Sequence, residues 1–217
     1  MIYDHTDRRY KLQQQSFSRK HNGAYYYSKE LVDNIIPYIK TDRDWVTVNA
    51  VGMCSDRAIV FIHNNLNPDR YEWLKDYKDL ILVCGIKDTC EKVSKYGTAV
   101  YLPLSVDVEY VKQFRAKKTR ETAYAGRATK KKLGKLPKNI EYLENLTRFE
   151  LLERMARYKN IYGVGRIALE AKVLQCKILP YDERYPDPKI WKVYDNSEVI
   201  PILQKLIDEV DGDKDDD

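Results

Sequence analysis

Residues 162–170, Tyr-Gly-Val-Gly-Arg-Ile-Ala-Leu-Glu, combine the residue types that a phosphate site needs with a spacing that can build one. A short apolar strand, Asn160–Tyr162, runs into the turn Gly163-Val164-Gly165 and then into a helix that starts near Arg166. The two glycines leave room for backbone to approach an anion, while the free N–H groups and positive dipole end of the helix favour one. Glu170, farther along that helix, is placed to accept two ribose hydroxyls. The chemistry implied is the binding of a nucleoside diphosphate. Gly-x-Gly alone also marks ordinary strand-to-helix turns, so the surrounding sequence has to add to it.

The elements that would position these residues alternate along the chain. Short β-rich apolar runs at 45–50, 58–63, 80–84, 99–103, 122–126, 140–144, 160–162 and 177–179 read as strands. Helical patterns at 28–39, 69–77, 87–95, 106–116, 147–158, 166–175 and 197–210 separate or follow them. This alternation is the signature of parallel sheets covered by helices, so the fold class is α/β. The 217 residues, 43% of them hydrophobic, suffice for one large domain or two small ones. The two halves share a βα organisation without sharing a sequence repeat. They divide into an amino-terminal Rossmann-like lobe over 1–105, a carboxyl-terminal one over 106–210, and an acidic, disordered tail over 211–217.

Local signals support several boundaries. Thr147 followed by Glu150 forms a capping box, and Pro180 stops the last strand. The helix after Thr147 places Phe149, Leu152, Met155 and Ala156 on one face, which reads as core. No apolar run approaches the roughly 18 residues of a membrane-spanning helix, and the opening residues are charged, so a soluble cytoplasmic protein is expected. Cys54, Cys84, Cys90 and Cys176 form no Cys-x-x-Cys pair and read as reduced thiols, with no metal site.

About 90 residues of the second half, 121–210, resemble the two-lobed glycosyltransferases of GT-B fold, in particular the retaining family 4. In that family a strand ends in Gly-Arg and a lysine follows five residues later; here Tyr124-Ala125-Gly126-Arg127 leads to Lys132. The resemblance implies that Arg127 and Lys132 hold the donor diphosphate and neutralise charge on the departing nucleotide, a role in which fixed cations replace a metal. The family's paired-glutamate motif corresponds to Tyr162-Gly-Val-Gly165-Arg-Ile-Ala-Leu-Glu170-Ala171. Glu170 matches the ribose-binding glutamate, whereas Tyr162 replaces the glutamate that contacts the donor sugar. The resemblance implies a compact GT-B-like arrangement, two Rossmann-like lobes facing a central cleft.

For the first lobe the expectations are thinner. His63 ends an apolar strand, at the carboxyl edge where open α/β sheets bind ligands, and is similar in place to a sugar-contacting histidine of related enzymes. Asn22 and Gly23 resemble a glycine loop that touches donor phosphate and acceptor. The expected reaction is metal-independent transfer of a sugar from a UDP- or GDP-sugar with retention, with no cofactor and an unidentified acceptor. A second reading comes from charge. Residues 115–138 hold ten Lys or Arg against one acid, Glu121, within a chain of net charge +5. Such a strip could follow a nucleic-acid backbone. The two ideas combine in a transferase acting on hydroxylated DNA bases, as phage DNA glucosyltransferases do; a sugar-nucleotide binder without catalysis also shares these features.

Overall fold

The computed structural model describes residues 1–3, 23–48, 52–62, 68–126 and 135–212. Its strands are β1 (Ile2–Tyr3), β2 (Asp44–Val46), β3 (Ala58–Ile62), β4 (Ile81–Cys84), β5 (Thr98–Tyr101), β6 (Arg120–Ala125), β7 (Glu141–Leu143), β8 (Tyr158–Tyr162) and β9 (Lys177–Leu179). Its α-helices are α1 (Gly23–Asn34), α2 (Lys87–Val93), α3 (Val108–Lys112), α4 (Arg148–Met155), α5 (Arg166–Val173) and α6 (Asn196–Gly212). They form two compact units, each built on a parallel sheet. The described residues of the first unit fall within 1–3, 24–104 and 196–212, and those of the second are Gly23 and residues within 105–195.

In the first unit β1 to β5 lie side by side in chain order, all parallel. Strands β3 and β4 are buried along their whole length, which is why they read as unbroken apolar runs. Val60 and Ile62 pair with Leu82 and Cys84 and share a core with Tyr71, Leu74 and Val93. Ile59, Phe61, Ile81 and Val83 point to the other face, where Phe61 stacks on Trp45 at 6.0 Å. β1 was hidden in the sequence because it is two residues long, and its charged neighbours mask it. It pairs with β2, and the terminal ammonium binds Asp44.

Helix α6 belongs to this unit rather than to the second, although it follows the second in sequence. Asn196 donates to Glu30 of α1 at 3.0 Å, and Lys40 N–H donates to Gln204 Oε1 at 2.7 Å. Arg43, whose side chain is wholly buried, donates from Nε to Asp211 at 3.0 Å and from NH1 to the Asp79 carbonyl at 2.7 Å. Asp211 is thus the ion-pair partner of a buried arginine rather than part of a solvated tail; residues 213–217 lie outside the described residues.

In the second unit the parallel order is β7-β6-β8-β9. The chain leaves β6 toward one edge to make β7, then returns past β6 to make β8 and β9 on its other side. The capping box forms: Thr147 Oγ1 accepts from Glu150 N–H at 3.2 Å, and Glu150 accepts from Thr147 N–H at 2.8 Å. The buried face of α4 is Arg148, Leu151, Leu152 and Met155, an i, i+3, i+4, i+7 set. Phe149, expected in the core, is 59% exposed, because burying Arg148 turns the next residue outward; it meets Phe114 edge-on at 5.1 Å.

Other boundaries shift for local reasons. The helix anticipated over 69–77 is a 3-10 segment, Pro68–Asp76. That over 106–116 contracts to α3, and Tyr158 opens β8 instead of closing α4. α1 starts earlier, at Gly23, and ends at Asn34, before the Pro37 turn. Among the described residues no helix is long and apolar enough to cross a membrane.

Arg43→Ala strands two carboxylates beside a buried gap. The variant should lose about 3 kcal/mol in urea denaturation. Arg43→Lys should recover less than half, since one ammonium cannot reproduce the fork that reaches both Asp79 and Asp211.

Candidate functional site

Connections from β6 run one way and those from β8 the other, so the gap between their carboxyl ends is a topological switch point, where open α/β sheets hold ligands. Both glycine turns lie there. β6 is followed by Gly126 at φ +154°, and a Cβ on it would meet Tyr124 Oη at 2.8 Å. β8 is followed by Gly163, where a Cβ would come within 2.7 Å of Ile167 Cγ2, and by Val164, which is buried. Gly165 takes φ +62° and ψ −136°, a conformation open to glycine, and nothing lies within 4 Å of its Cβ position. Open space therefore adjoins the N-terminus of α5, whose first N–H groups have no partner within the helix.

One turn into α5 lies Glu170, fully buried. Its Oε1 accepts from Arg166 Nε at 3.0 Å and lies 3.2 Å from Arg148 NH2. The two arginines are the first residues of α5 and α4, and Tyr110 covers the Arg148 guanidinium at 4.9 Å. A buried carboxylate requires such partners. Glu170 Oε2 makes no hydrogen bond, which leaves one buried acceptor beside the glycine turn. Arg148 was missed in sequence. Its signal was there: it precedes Leu151, Leu152 and Met155 at helical spacing on one face.

The opposite face of the sheet carries a row of tyrosines. Tyr142, Tyr124 and Tyr162 pair in register across β7, β6 and β8 at their carboxyl ends. Tyr181, just beyond β9, meets Tyr124 and Tyr162 edge-on at 5.5 and 6.2 Å. Tyr124 is fully buried and Tyr162 half-buried. Burial, reinforced by Tyr181, pushes the Tyr124 hydroxyl far above the usual phenol range.

The other ends of the two helices are closed by one side chain. Lys118 Nζ donates to the Ala156 carbonyl after α4 at 2.8 Å and to the Leu174 carbonyl after α5 at 2.6 Å. Arg115 donates to the Val173 carbonyl at 2.8 Å. A cation at a helix C-terminus meets the negative end of its dipole. Arg120 pairs with Glu141 at 2.7 Å and Lys135 with Glu183 at 3.6 Å, so among the described residues four charges of the basic strip have local partners. Cys176 lies 3.1 Å from Lys118 Nζ, and burial still raises its thiol above the ordinary range.

Gly126, Tyr162, Gly163, Val164, Gly165, Arg166 and Glu170 are thus brought to one sheet edge, with Arg148 added. Arg127, Lys132, His63 and Asn22 lie outside the described residues, and Gly23 opens α1. Among the described residues no group of three His, Cys, Asp or Glu is placed to hold a metal ion. Comparison of the chain with protein-family models, curated proteins and solved structures finds no match.

Two substitutions probe this geometry. Gly165→Ala meets no clash, so its whole cost is backbone strain, about 1–3 kcal/mol by chemical denaturation; Gly212→Ala, with open space and no positive φ, should change stability by less than about 0.5 kcal/mol. Lys118→Met removes the donor shared by two helix ends and should cost about 1–3 kcal/mol in the same measurement.

Proposed function

We propose that the chain is a glycosyltransferase that binds a nucleoside-diphosphate sugar at the switch point of the second unit. The observation that carries this reading is the meeting, at the carboxyl ends of β6 and β8, of two glycine turns with the N-terminus of α5. The open space beside Gly165 suits a phosphoryl group, and the dipole end of α5 favours its charge. Glu170 Oε2, a buried acceptor without a donor, suits ribose hydroxyls. The resemblance of 121–210 to retaining GT-B enzymes supplies the reaction type. On this reading the two units are the lobes of a compact GT-B-type enzyme acting in the cytoplasm, the first on the acceptor side.

Transfer with retention proceeds on one face of the sugar. The bond from the anomeric carbon to the diphosphate oxygen breaks as the acceptor oxygen bonds to that carbon, and the acceptor's proton passes to the departing phosphate oxygen. The α5 N-terminus, with Arg127 and Lys132, neutralises the charge that builds on the diphosphate, so the step needs no divalent cation. Tyr162 takes the place of a carboxylate beside the sugar and offers a ring face and a hydroxyl instead. A second reading, a nucleic-acid acceptor with hydroxylated DNA bases included, rests on the ten Lys or Arg of residues 115–138.

Calorimetric titration with UDP, GDP and their sugar conjugates tests the donor site. One diphosphate should bind at micromolar Kd, and Glu170→Gln, checked for folding by its melting curve, should bind it 10–100-fold more weakly, about 1.5–3 kcal/mol. Equal affinity of the folded variant, or no binding by the wild type, would remove the donor-site assignment.

A further inference from the structure

The carboxyl ends of α4 and α5 bring a thiol and an amine together, far along the strands from the glycine turns. Lys118 lies two residues before β6 and Cys176 one residue before β9, both at the amino-terminal edge of the second sheet. Lys118 Nζ is 3.1 Å from Cys176 Sγ. The same ammonium donates to the Ala156 and Leu174 carbonyls at 2.8 and 2.6 Å. An ammonium has three N–H groups, and here each has an acceptor, the sulfur among them. The two carbonyls therefore hold the nitrogen against the thiol.

Cys176 is fixed from its own side by the end of α5. Its N–H donates to the Ala171 carbonyl at 2.8 Å, and Gln175 N–H donates to the Lys172 carbonyl at 2.9 Å. These are the paired bonds of a Schellman end, with Gln175 as the left-handed residue at φ +64°. The cysteine that follows is buried, and its Sγ lies 3.5 Å from the Met155 carbonyl. Gln175 and Lys177 on either side of it are exposed, so the thiol is one residue away from the surface in both directions. Cys54 and Cys84 show the plainer arrangement of a thiol that serves packing alone, each donating to a carbonyl close in sequence. Cys176 differs in having an amine in contact.

We propose that Cys176 and Lys118 form an oxidative modification site, at which a peroxide joins Sγ to Nζ as a sulfenamide. In the first step the O–O bond of the peroxide breaks and an S–O bond forms. The thiol proton leaves with the other oxygen as water, and Cys176 becomes a sulfenic acid, a species that condenses with nitrogen. Lys118 then releases one ammonium proton to solvent, and its nitrogen attacks the sulfur. The S–N bond forms as the S–O bond breaks, and the hydroxyl departs with an amine proton as a second water. Sulfur gives up two electrons, and one peroxide is reduced to two waters. Two thiols of a reductant reverse the change, forming their own disulfide and restoring the Cys176 thiol and the Lys118 amine. The bridge ties the segment before β6 to the segment before β9 across the start of β8. It also leaves one N–H on the nitrogen where there were three, so at least one of the Ala156 and Leu174 carbonyls loses its donor.

The experiment treats the full chain with hydrogen peroxide, removes the excess with catalase, and digests the product without reductant for peptide mass analysis. The folded wild type should yield the peptides of Lys118 and Cys176 joined, at the sum of their masses less two hydrogens. Dithiothreitol should separate them. Lys118→Arg keeps a cation for both carbonyls but offers no amine. It should lose the joined species while Cys176 is still oxidised to its sulfenic or sulfinic acid. Wild type treated in urea should lose the joined species as well, because the fold no longer holds nitrogen against sulfur. Recovery of Cys176 from the folded wild type only as a free thiol or as an unlinked sulfinic acid overturns the proposal. A joined species that keeps the peroxide oxygen, that forms equally in urea, or that survives dithiothreitol also overturns it.

Discussion

The second unit is organised around a carboxylate that water cannot reach. Glu170 stands in a helix interior at zero exposure, and an ionised group there is tolerated only with close countercharges. Arg166 supplies one from the same helix, a turn back, and Arg148 supplies the other from the start of α4. That requirement fixes the rotation of α4, because Arg148 must face inward. Leu151, Leu152 and Met155 then follow it into the core, and Phe149 is turned out. It also fixes the approach of α4 to α5 at their N-termini, beside the glycine turn. A single buried charge thus joins helix packing to the geometry of the sheet edge.

The same two helices have opposite needs at their two ends. At the N-termini the dipoles and backbone donors converge toward the gap between β6 and β8. At the C-termini the carbonyls are taken up by Lys118, with Arg115 beside it. Charge that looks in sequence like a basic strip is in this part of the fold a device for finishing helices. Lys118 and Arg120 differ by two residues and by role: the first is turned to carbonyls of two helices, the second to Glu141 on the neighbouring strand. Composition counts both as the same positive charge.

Much of the architecture could be read from residue patterns, because it depends on short-range rules. The α/β alternation, the strand ending at Tyr162 and the capping box at Thr147 each follow from chemistry within a few residues of the element concerned. What escaped depends on distant partners. Phe149 looked like core until Arg148 had a carboxylate 22 positions away to bury with. Asp211 looked like part of an acidic tail, and only the fold brings Arg43 to it across 168 positions. The site residues divide in the same way: Gly163, Gly165 and Glu170 lie in one local motif, whereas Arg148 and Tyr181 reach the motif only through the sheet.

The return of α6 to the first unit sets an order for folding. Residues 105–195 form one continuous stretch, so the second unit can complete its sheet from local and medium-range contacts as soon as that stretch is synthesised. The first unit cannot, because α6 carries the partners of Glu30 and Arg43 and is made last. Until it arrives, Arg43 has Asp79 but lacks Asp211. Prior folding of the second unit takes up about half of the loop between Arg43 and Asp211, which lowers the entropy cost of closing it by about 0.6 kcal/mol. The nascent chain therefore presents a finished carboxyl-side unit while the unit that began first still lacks the helix that completes the pairing of Glu30 and Arg43.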